Sequence, residues 1–445
     1  MKQPRKTVLV IARSFPPLGG AAVVRVAKFV KYLPEFGWRP IVLTIEERYY
    51  HPRLLDRDLL KDLPRDTLVY RTPAFLRPKT ASSTLSGDRR TQAAGMRSRG
   101  AVMRALRGVL PFEEGFPWLP FALPAIRHIA RKEGFDVILS SSPPHNAHVI
   151  AAMAKLFWHK PWVADFRDGW IDDSNFHTSA FPRAMLERWM ESWIVHSADR
   201  VVCAWDQIQD WFVERHGEGL AQKALVLYNG YDPAESPPSG GGSYSRPEVA
   251  ETSEMRVVFT GSIRRTQAAA LRCLLAASRD LALAGEIPAD RLRLEFVGLF
   301  DEDLLSQARA SAGIEVIPPV PRHEALRRMQ EADVLLLATT LPRRNEVPAK
   351  FYEYLQARRP ILALFKRGTV SRWIEDENLG LVADPEDPEA IKSALRELYR
   401  RFGEGTLDRF GASEAFLTQF DRRRQAEQLA HILDEIVAAR EVAGG

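Results

Sequence analysis

The sequence has little of what marks several large protein classes. Its 445 residues include two cysteines, Cys203 and Cys273, which stand far apart in apolar surroundings. This usage argues against a disulfide framework or a zinc site and fits a reducing cytoplasm. No apolar run is long enough for a membrane-spanning helix, and the start MKQPRK passes directly into a strand-like segment rather than a secretory signal. We therefore expect a cytoplasmic protein.

The net charge gives no indication of a nucleic-acid partner. Lys and Arg number 62 against 57 Asp and Glu, a net charge of +5, and no nucleic-acid-binding motif is present. The positive charge is concentrated in residues 71–107, where many arginines stand among Ser, Thr, Gly and Ala. Two interpretations of this segment remain open: a solvated loop, or peripheral contact with an anionic membrane surface or a pyrophosphate-linked acceptor at the inner face of the membrane.

The length predicts two domains, and the pattern of apolar runs predicts their class. Short apolar runs alternate with amphipathic segments, which is typical of parallel α/β sheets. The fold class is therefore α/β, with two doubly wound Rossmann-like domains. The strands predicted in the first half are Thr7–Ala12, Ile41–Thr44, Val137–Ser140, Trp162–Asp165, Arg200–Ala204 and Leu225–Tyr228. Those predicted in the second half are Arg256–Phe259, Leu292–Val297, Ile314–Ile317, Val334–Leu337 and Ile361–Leu364.

A linker separates the two series of strands. The stretch ESPPSGGGSYSRPE is too rich in Pro, Gly and Ser to build a core. We predict an N-terminal domain over 1–231, a linker over 232–254, a C-terminal domain over 255–410, and a final helical segment over 411–445. Parallel sheets bind ligands beyond the carboxyl ends of their strands. Two such domains therefore predict a cleft that suits a large nucleotide ligand facing a second substrate.

Three loops of the first half carry candidate site residues. Gly19 and Gly20 end the first βα turn, where free N–H groups bind phosphate or sugar oxygens; the alternative is a tight turn with no ligand. His145 follows the third predicted strand and is a candidate for proton transfer, unless the loop caps its helix and His145 lies on the rim. Arg167 and Asp168 follow the fourth strand, where charges need a partner or a polar ligand. An Asp–Arg pair that fixes this loop is the structural alternative.

In the second half, small residues and arginines follow the first strand. Gly261 and Ser262 end this strand, and Arg264 and Arg265 come next. Backbone amides and guanidinium groups together predict a clamp for a diphosphate. One of the two arginines is expected to be solvated surface.

The segment after Val334–Leu337 carries a second pair of charges. Lys350 and Glu353 are three residues apart near the start of a predicted helix, so they lie on one face of it. Lys350 is placed to meet phosphate, and Glu353 to accept hydrogen bonds from paired ribose hydroxyls. The alternative is an exposed ion pair, which contributes little to stability. Tyr352 and Tyr354 favour a partly buried helix.

Several motifs in the same order resemble those of one family along nearly the whole chain. The sequence resembles the retaining glycosyltransferases of family 4, which have the GT-B fold, and within them the bacterial surface-polysaccharide type. The matching segments are FPPLGGAAVVRVAKFVKYL, DVILSSSPP, ADFRDGW, ADRVVCAW and LVLYNGYD in the first half, and VVFTGSIRR, EADVLLL and EVPAKFYEYLQARRPILA in the second.

The resemblance implies that the donor, a nucleotide diphosphate sugar, binds mainly to the second domain. Glu353 takes the ribose-binding role of the family's motif glutamate. Ser262, with Arg264 or Arg265, lies at the diphosphate, and Lys350 lies nearby.

The resemblance also implies roles outside the donor domain. Gly19 and Gly20 border the transferred sugar or the acceptor, and the helix within 411–445 crosses back to the first domain. One departure is visible: the family often has a second glutamate eight residues before Glu353, and this sequence has Asn345 there.

The sequence as a whole predicts a hexosyltransferase that moves a sugar to a hydroxyl acceptor with retention, without a metal ion or other cofactor. The acceptor is expected to be a growing glycan or a lipid-linked saccharide, as in polysaccharide biosynthesis. Asp168, Arg167 and His145 are the candidates for positioning the acceptor and handling its proton. Two alternatives stay open: a nucleotide-sugar epimerase of the same fold, and a non-catalytic member that binds a glycan or acts as a scaffold.

Overall fold

The chain forms two compact units. One comprises Met1–Asn229 with Arg422–Gly445, and the other comprises Gly230–Asp421. The computed structural model describes residues 6–75, 118–171, 181–235, 254–262, 265–299, 313–338 and 347–444. Most of the basic segment 71–107 lies outside the described residues.

A sheet of seven parallel strands forms the centre of the first unit, in the order β3-β2-β1-β4-β5-β6-β7. The order reverses between β1 and β4, which makes that point the topological switch of the sheet. The strands are β1 (Lys6–Ile11), β2 (Trp38–Ile45), β3 (Leu68–Thr72), β4 (Val137–Ser142), β5 (Trp162–Phe166), β6 (Arg200–Cys203) and β7 (Ala224–Val226).

Helices cover both faces of this sheet. Along β1, Val8 and Val10 pack into one apolar cluster while Leu9 and Ile11 pack into the other. Burial on both faces explains why the strand is a continuous apolar run. The helices within the described residues of the first half are α1 (Ala21–Tyr32), α2 (Asp58–Lys61), α3 (Leu119–Lys132), α4 (Asn146–Trp158), α5 (Phe181–Ser197) and α6 (Asp206–His216).

The second unit repeats the design around six parallel strands in the order β10-β9-β8-β11-β12-β13, with its switch between β8 and β11. Its strands are β8 (Met255–Ser262), β9 (Leu292–Leu299), β10 (Ile314–Ile317), β11 (Val334–Ala338), β12 (Ile361–Leu364) and β13 (Gly380–Ala383). In the described part of the second half the helices are α7 (Arg265–Leu283), α8 (Arg322–Glu331), α9 (Ala349–Ala357), α10 (Thr369–Asp376), α11 (Pro388–Gly403), α12 (Glu414–Thr418) and α13 (Arg422–Gly444).

The C-terminal helix belongs to the first unit. Ala426, Leu429 and Leu433 of α13 pack into the same apolar cluster as Phe29 of α1. The single amphipathic stretch seen in the sequence is two helices, α12 and α13, and only α13 joins this cluster. Within the described residues, no helix is both long and apolar enough to cross a membrane.

The predicted fold class is confirmed, because both halves form doubly wound parallel sheets. All eleven predicted strands are present, with bounds that differ by a few residues. Two strands were missed, β3 and β13, and both lie at sheet edges. Most of their residues are only half-buried, and the apolar run is short in each, Leu68–Tyr70 in β3 and Leu381–Ala383 in β13.

Candidate functional site

In the first unit, candidate residues meet where β4 and β5 end. These strands are neighbours, and Ser141 pairs in register with Asp165. The loops that follow them carry His145 and Arg167, which therefore start from the same edge of the sheet, beside the topological switch.

A buried ion pair ties this edge to the first helix. Arg25 of α1 donates to Oδ1 of Asp165 from Nε at 3.0 Å and from Nη2 at 2.7 Å. The other carboxylate oxygen accepts from the Ser141 hydroxyl at 2.7 Å, and Nη1 of Arg25 donates to the carbonyl of Tyr228 at 2.8 Å. Both charged side chains are almost fully buried. Asp165 therefore pairs with Arg25 of the first helix.

Two histidines form a buried polar network behind the loop. His148 contacts the Ser140 hydroxyl through Nδ1 at 2.7 Å and the Ser142 hydroxyl through Nε2 at 2.8 Å. Nδ1 of His145 also contacts the Ser142 hydroxyl, at 3.0 Å. Burial holds the pKa of His148 well below its usual value, and the charges of neighbouring groups lower it further, so His148 is neutral near pH 7.

His145 is fully buried, with its ring stacked on Trp170 at 4.7 Å between centroids. The alternative that placed His145 on the rim is therefore wrong. Helix α4 begins at the next residue, Asn146, without a side-chain hydrogen bond from its N-cap. The hydroxyl of Ser142 contacts both histidines.

Arg167 and Asp168 differ sharply in exposure. Arg167 is buried, and it donates from Nε to the carbonyl of Ser142 at 2.8 Å and from Nη2 to the carbonyl of Pro143. Burial lowers the pKa of Arg167, an effect that the charges of Asp165 and Asp168 oppose. Asp168 is half-buried. Arg167 therefore fixes the loop after β4, while Asp168 is partly accessible to solvent.

The paired glycines start helix α1. Gly20 is its N-cap with φ 102°, a conformation that favours glycine. The N–H of Gly19 donates to the carbonyl of Leu54 at 2.7 Å, and a side chain at Gly19 would meet Asp56 and Leu54 at 3.1 Å. The turn is therefore packed against the segment that follows β2, and Gly20 is the less crowded of the two.

In the second unit, Gly261 and Lys350 come together. Gly261 has φ 134°, and a Cβ there would lie 3.3 Å from Cε of Lys350. Gly298, its register partner on β9, has φ 141°, and a Cβ at Gly298 would lie 1.8 Å from the carbonyl oxygen of Gly261. Only glycine fits at 298, so two glycines let this edge of the sheet approach the side chain of Lys350.

Glu353 is the centre of a network of four charges. It accepts from Lys350 Nζ at 2.6 Å on Oε2 and from Arg322 Nη1 at 2.8 Å on Oε1. Arg322 also donates from Nη2 to Glu235 at 2.8 Å. Burial by itself would raise the pKa of Glu353, but the charges and hydrogen bonds of Lys350 and Arg322 lower it to about 2. The carboxylate is thus ionised at any physiological pH, and both of its oxygens face cations.

Helix α9 holds this network in place through its buried face. Tyr354 accepts from the N–H of Thr260 at 3.3 Å and donates to the carbonyl of Leu336 at 3.0 Å, so it fixes α9 to β8 and β11. Burial raises the pKa of the Tyr354 hydroxyl, which keeps it protonated as a donor. Tyr352 is buried as well. The Lys350–Glu353 ion pair therefore lies on a helix that is anchored by its buried face, and it is not the exposed ion pair of the alternative interpretation.

Part of the predicted diphosphate clamp cannot be placed. Ser262 is the last residue of β8 and Arg265 the first of α7, but the side chains of both lie outside what the structure describes. Arg264 and Asn345 lie outside the described residues altogether.

Three charged residues of the two clusters were missed in the sequence. Arg25 lies within an apolar helical stretch, where an arginine should have suggested a buried partner. Arg322 and Glu235 are 87 positions apart, and each stands in a surface-like segment with no motif around it. Pairing over that distance depends on the fold, so local pattern gives no signal for it.

Two family models match the chain. Residues 20–230 match the model described as a glycosyl transferase 4-like domain, and residues 254–401 match the model described as glycosyl transferases group 1. No match is found among curated proteins.

Solved structures with the same fold cover nearly the whole chain. HepE of Anabaena, in complex with UDP and glucose, has 16% identity and a TM-score of 0.61 over 97% of this chain and 99% of its own. Sucrose-phosphate synthase of Thermosynechococcus elongatus has 14% identity and a TM-score of 0.63 over 98% and 100%. UDP-GlcNAc 2-epimerase of Methanocaldococcus jannaschii has 10% identity and a TM-score of 0.55 over 97% and 99%.

At these identities the structural likeness establishes the GT-B fold, and the family models establish the class. The chain is a transferase of the glycosyltransferase family 4/1 type, with a 4-like domain followed by a group 1 domain.

The buried Arg25–Asp165 pair generates a first prediction. Arg25→Met leaves the Asp165 carboxylate buried without its cation and should lower the free energy of unfolding by about 3–5 kcal/mol. Adding Asp165→Asn removes the unpaired buried charge and should restore a large part of the lost free energy of unfolding. Denaturant unfolding of the two variants measures both effects. Arg53→Met, at an exposed arginine of the same unit, is the control; an Arg25→Met variant no less stable than this control would refute the prediction.

The Glu353 network generates a second prediction, in pH dependence. The folded-state pKa of about 2 lies below the ordinary 4.5, so its contribution to stability is present above about pH 4.5 and is lost as the pH falls toward 2. A shift of this size corresponds to about 3 kcal/mol. Between pH 6 and pH 3, Glu353→Gln should therefore lose less unfolding free energy than the wild type. The exposed Glu375→Gln is the control, and equal losses in all three proteins would contradict the assignment.

Proposed function

We propose that the protein transfers a hexose from a nucleotide diphosphate sugar to a hydroxyl acceptor, with retention and without a metal ion. The observation that carries this proposal is the ionised Glu353 carboxylate held between Lys350 and Arg322, with Lys350 against the close-packed glycine edge of β8. We place the reaction in the cytoplasm, in the assembly of a glycan or polysaccharide on a saccharide or lipid-linked acceptor.

The second unit is suited to hold the donor. An ionised carboxylate is a strong acceptor for two neighbouring hydroxyl groups such as those of a ribose, and the low pKa keeps Glu353 in that state. Lys350 supplies a positive charge at the bare backbone of Gly261, where a diphosphate can approach closely. The complex of HepE with UDP and glucose shows that a protein of this fold holds such ligands.

The first unit is suited to hold the acceptor. In the proposed reaction the bond between the anomeric carbon and the diphosphate breaks, and a bond to the acceptor oxygen forms on the same face of the sugar. The acceptor proton passes to the departing diphosphate, whose charge Lys350 and the arginines that follow β8 stabilise. Asp168 is the half-exposed candidate for orienting the acceptor, and Gly20 borders the sugar. Arg167 and His145 support the loop from its buried side.

The two alternative functions, an epimerase and a non-catalytic glycan-binding member or scaffold, place different demands on the same fold. An epimerase needs acid and base groups that converge on the sugar, and it acts without an acceptor. The epimerase of Methanocaldococcus jannaschii shares the fold, whereas both family models describe transferases. A non-catalytic glycan-binding member would bind no donor, or would bind it without turnover.

The donor site generates a third prediction. In a thermal-shift panel of nucleoside diphosphates and nucleotide sugars, ligands of one base should raise the melting temperature of the wild type. At a ligand concentration of one hundred times Kd, the stabilisation is about 2.7 kcal/mol. Glu353→Ala should lose this response, while Glu375→Ala, at an exposed glutamate of the same unit, should keep it. A wild-type protein that no member of the panel stabilises would favour the scaffold alternative.

The acceptor side generates a fourth prediction. Asp168→Ala should lower the transfer rate at saturating donor by about 100-fold, because the acceptor hydroxyl loses the group that orients it, and should leave the donor-induced thermal shift unchanged. The control is Asp66→Ala, at an exposed aspartate of the same unit. Sugar transfer is followed by release of the nucleoside diphosphate in the presence and absence of acceptor. Full activity of Asp168→Ala would remove this residue from the mechanism.

A further inference from the structure

One helical layer of the first unit has an unusual outer surface. Helix α4 packs against α3 and against α5, and all three cover the same face of the seven-stranded sheet. We name this surface the α3–α5 face and define it by the exposed residues of these three helices. It lies within one unit and contains none of the candidate site residues.

The α3–α5 face exposes large apolar side chains. Leu156 and Phe157 at the end of α4 are each 63% exposed, and Met185 and Trp189 of α5 are 58% and 61% exposed. Trp189 stacks on Trp193 one turn along, with ring planes 9° apart and centroids 6.0 Å apart. Single exposed apolar residues are common, but a group on adjacent helices marks an interaction surface.

The same face is basic and exposes no acid on its three helices. Helices α3 and α4 contain no Asp or Glu, and α3 exposes Arg127, Arg131 and Lys132. The two glutamates of α5, Glu187 and Glu191, are buried.

Both buried glutamates are already neutralised. Glu187 accepts from Arg183 at 2.8 Å, and Glu191 accepts from Arg215 at 3.0 Å. The remaining arginine of α5, Arg188, is exposed. Lys132 pairs with Glu133 just beyond α3, but within the described part of the chain Arg127, Arg131 and Arg188 form no ion pair, so the layer carries exposed positive charge beside its aromatic residues.

A surface helix of the second unit shows the ordinary pattern for comparison. On α11 the exposed Arg400 pairs with Glu397 at 2.7 Å and with Glu404, just beyond the helix, at 2.5 Å, so this arginine is neutralised by its neighbours. The charge of the α3–α5 face is unbalanced, and its apolar residues are tryptophan, phenylalanine, leucine and methionine. Aromatic and aliphatic side chains mixed with Arg and Lys are what an interfacial helix presents to an anionic bilayer.

We propose that the α3–α5 face docks the protein on an anionic lipid surface, with α3, α5 and the C-terminal end of α4 against the membrane. Phe157, Met185 and Trp189 insert at the level of the headgroups, and Arg127, Arg131 and Arg188 contact the anionic lipids. Charge complementarity selects this partner, because a second copy of the chain would bring like charges together on a shared basic surface. The proposal is independent of the transferase activity, since docking needs neither donor nor acceptor.

The test uses the full chain and vesicles of two compositions, phosphatidylcholine alone and phosphatidylcholine with one third phosphatidylglycerol. The wild type should co-sediment with the anionic vesicles and bind the neutral ones far more weakly, and salt should weaken the binding. Arg127→Glu with Arg131→Glu should reduce binding at least tenfold, as should Phe157→Ser with Trp189→Ser. The control pair, Arg272→Glu with Leu283→Ser on α7, should bind as the wild type does. Circular dichroism and thermal melting confirm that each variant is folded.

A second measurement locates the contact. Lipids brominated in their acyl chains should quench part of the tryptophan fluorescence of the wild type, and Trp189→Phe should lose that part. Three results would overturn the proposal: no binding of the wild type to anionic vesicles, binding that both face variants retain, or concentration-dependent dimers that the face variants dissolve without any vesicle binding. The nucleotide-induced thermal shift of the same proteins reports separately on the donor site.

Discussion

The candidate site of the second unit depends on one interaction, a carboxylate held between two cations. Glu353 is largely buried, and burial alone would favour its neutral form; Lys350 and Arg322 reverse that preference and lower its pKa to about 2. Glu235 also pairs with Arg322, so two carboxylates balance two cations in the network. The first unit shows the same principle in Arg25 and Asp165. In both units a buried carboxylate is stabilised by an arginine from another segment of the chain.

The fold was largely predictable from the sequence, because central parallel strands are buried on both faces and appear as continuous apolar runs. β1 and β11 are of this kind. β3 and β13 were not predicted, whereas β7 and β10, which also lie at sheet edges, were, so edge position alone does not hide a strand in the sequence. The C-terminal helix was visible by its periodicity, but which unit it packs on is decided by tertiary contacts such as those of Leu429 and Leu433.

The candidate site was predictable where its residues are neighbours in sequence. Lys350 and Glu353 lie on one helical face, as their spacing predicts. The partners that set their electrostatics, Arg322 and Glu235, come from elsewhere in the chain and were not predicted. The exposure of the loop histidine was also mispredicted: a polar loop indicates a surface, but His145 is buried against Trp170. A sequence shows which groups can carry chemistry, whereas the fold decides which of them face a ligand.

The most direct test of the central claim is calorimetric titration with a nucleoside diphosphate and its 2′,3′-dideoxy analogue, in the wild type and in Glu353→Gln. If the ionised carboxylate holds the ribose hydroxyls, the wild type should bind the analogue at least about tenfold more weakly, since hydrogen bonds to a charged group contribute roughly 1.5–3 kcal/mol. Glu353→Gln should show little discrimination between the two ligands. Equal binding of both ligands by the wild type, or an undiminished preference in Glu353→Gln, would contradict the account.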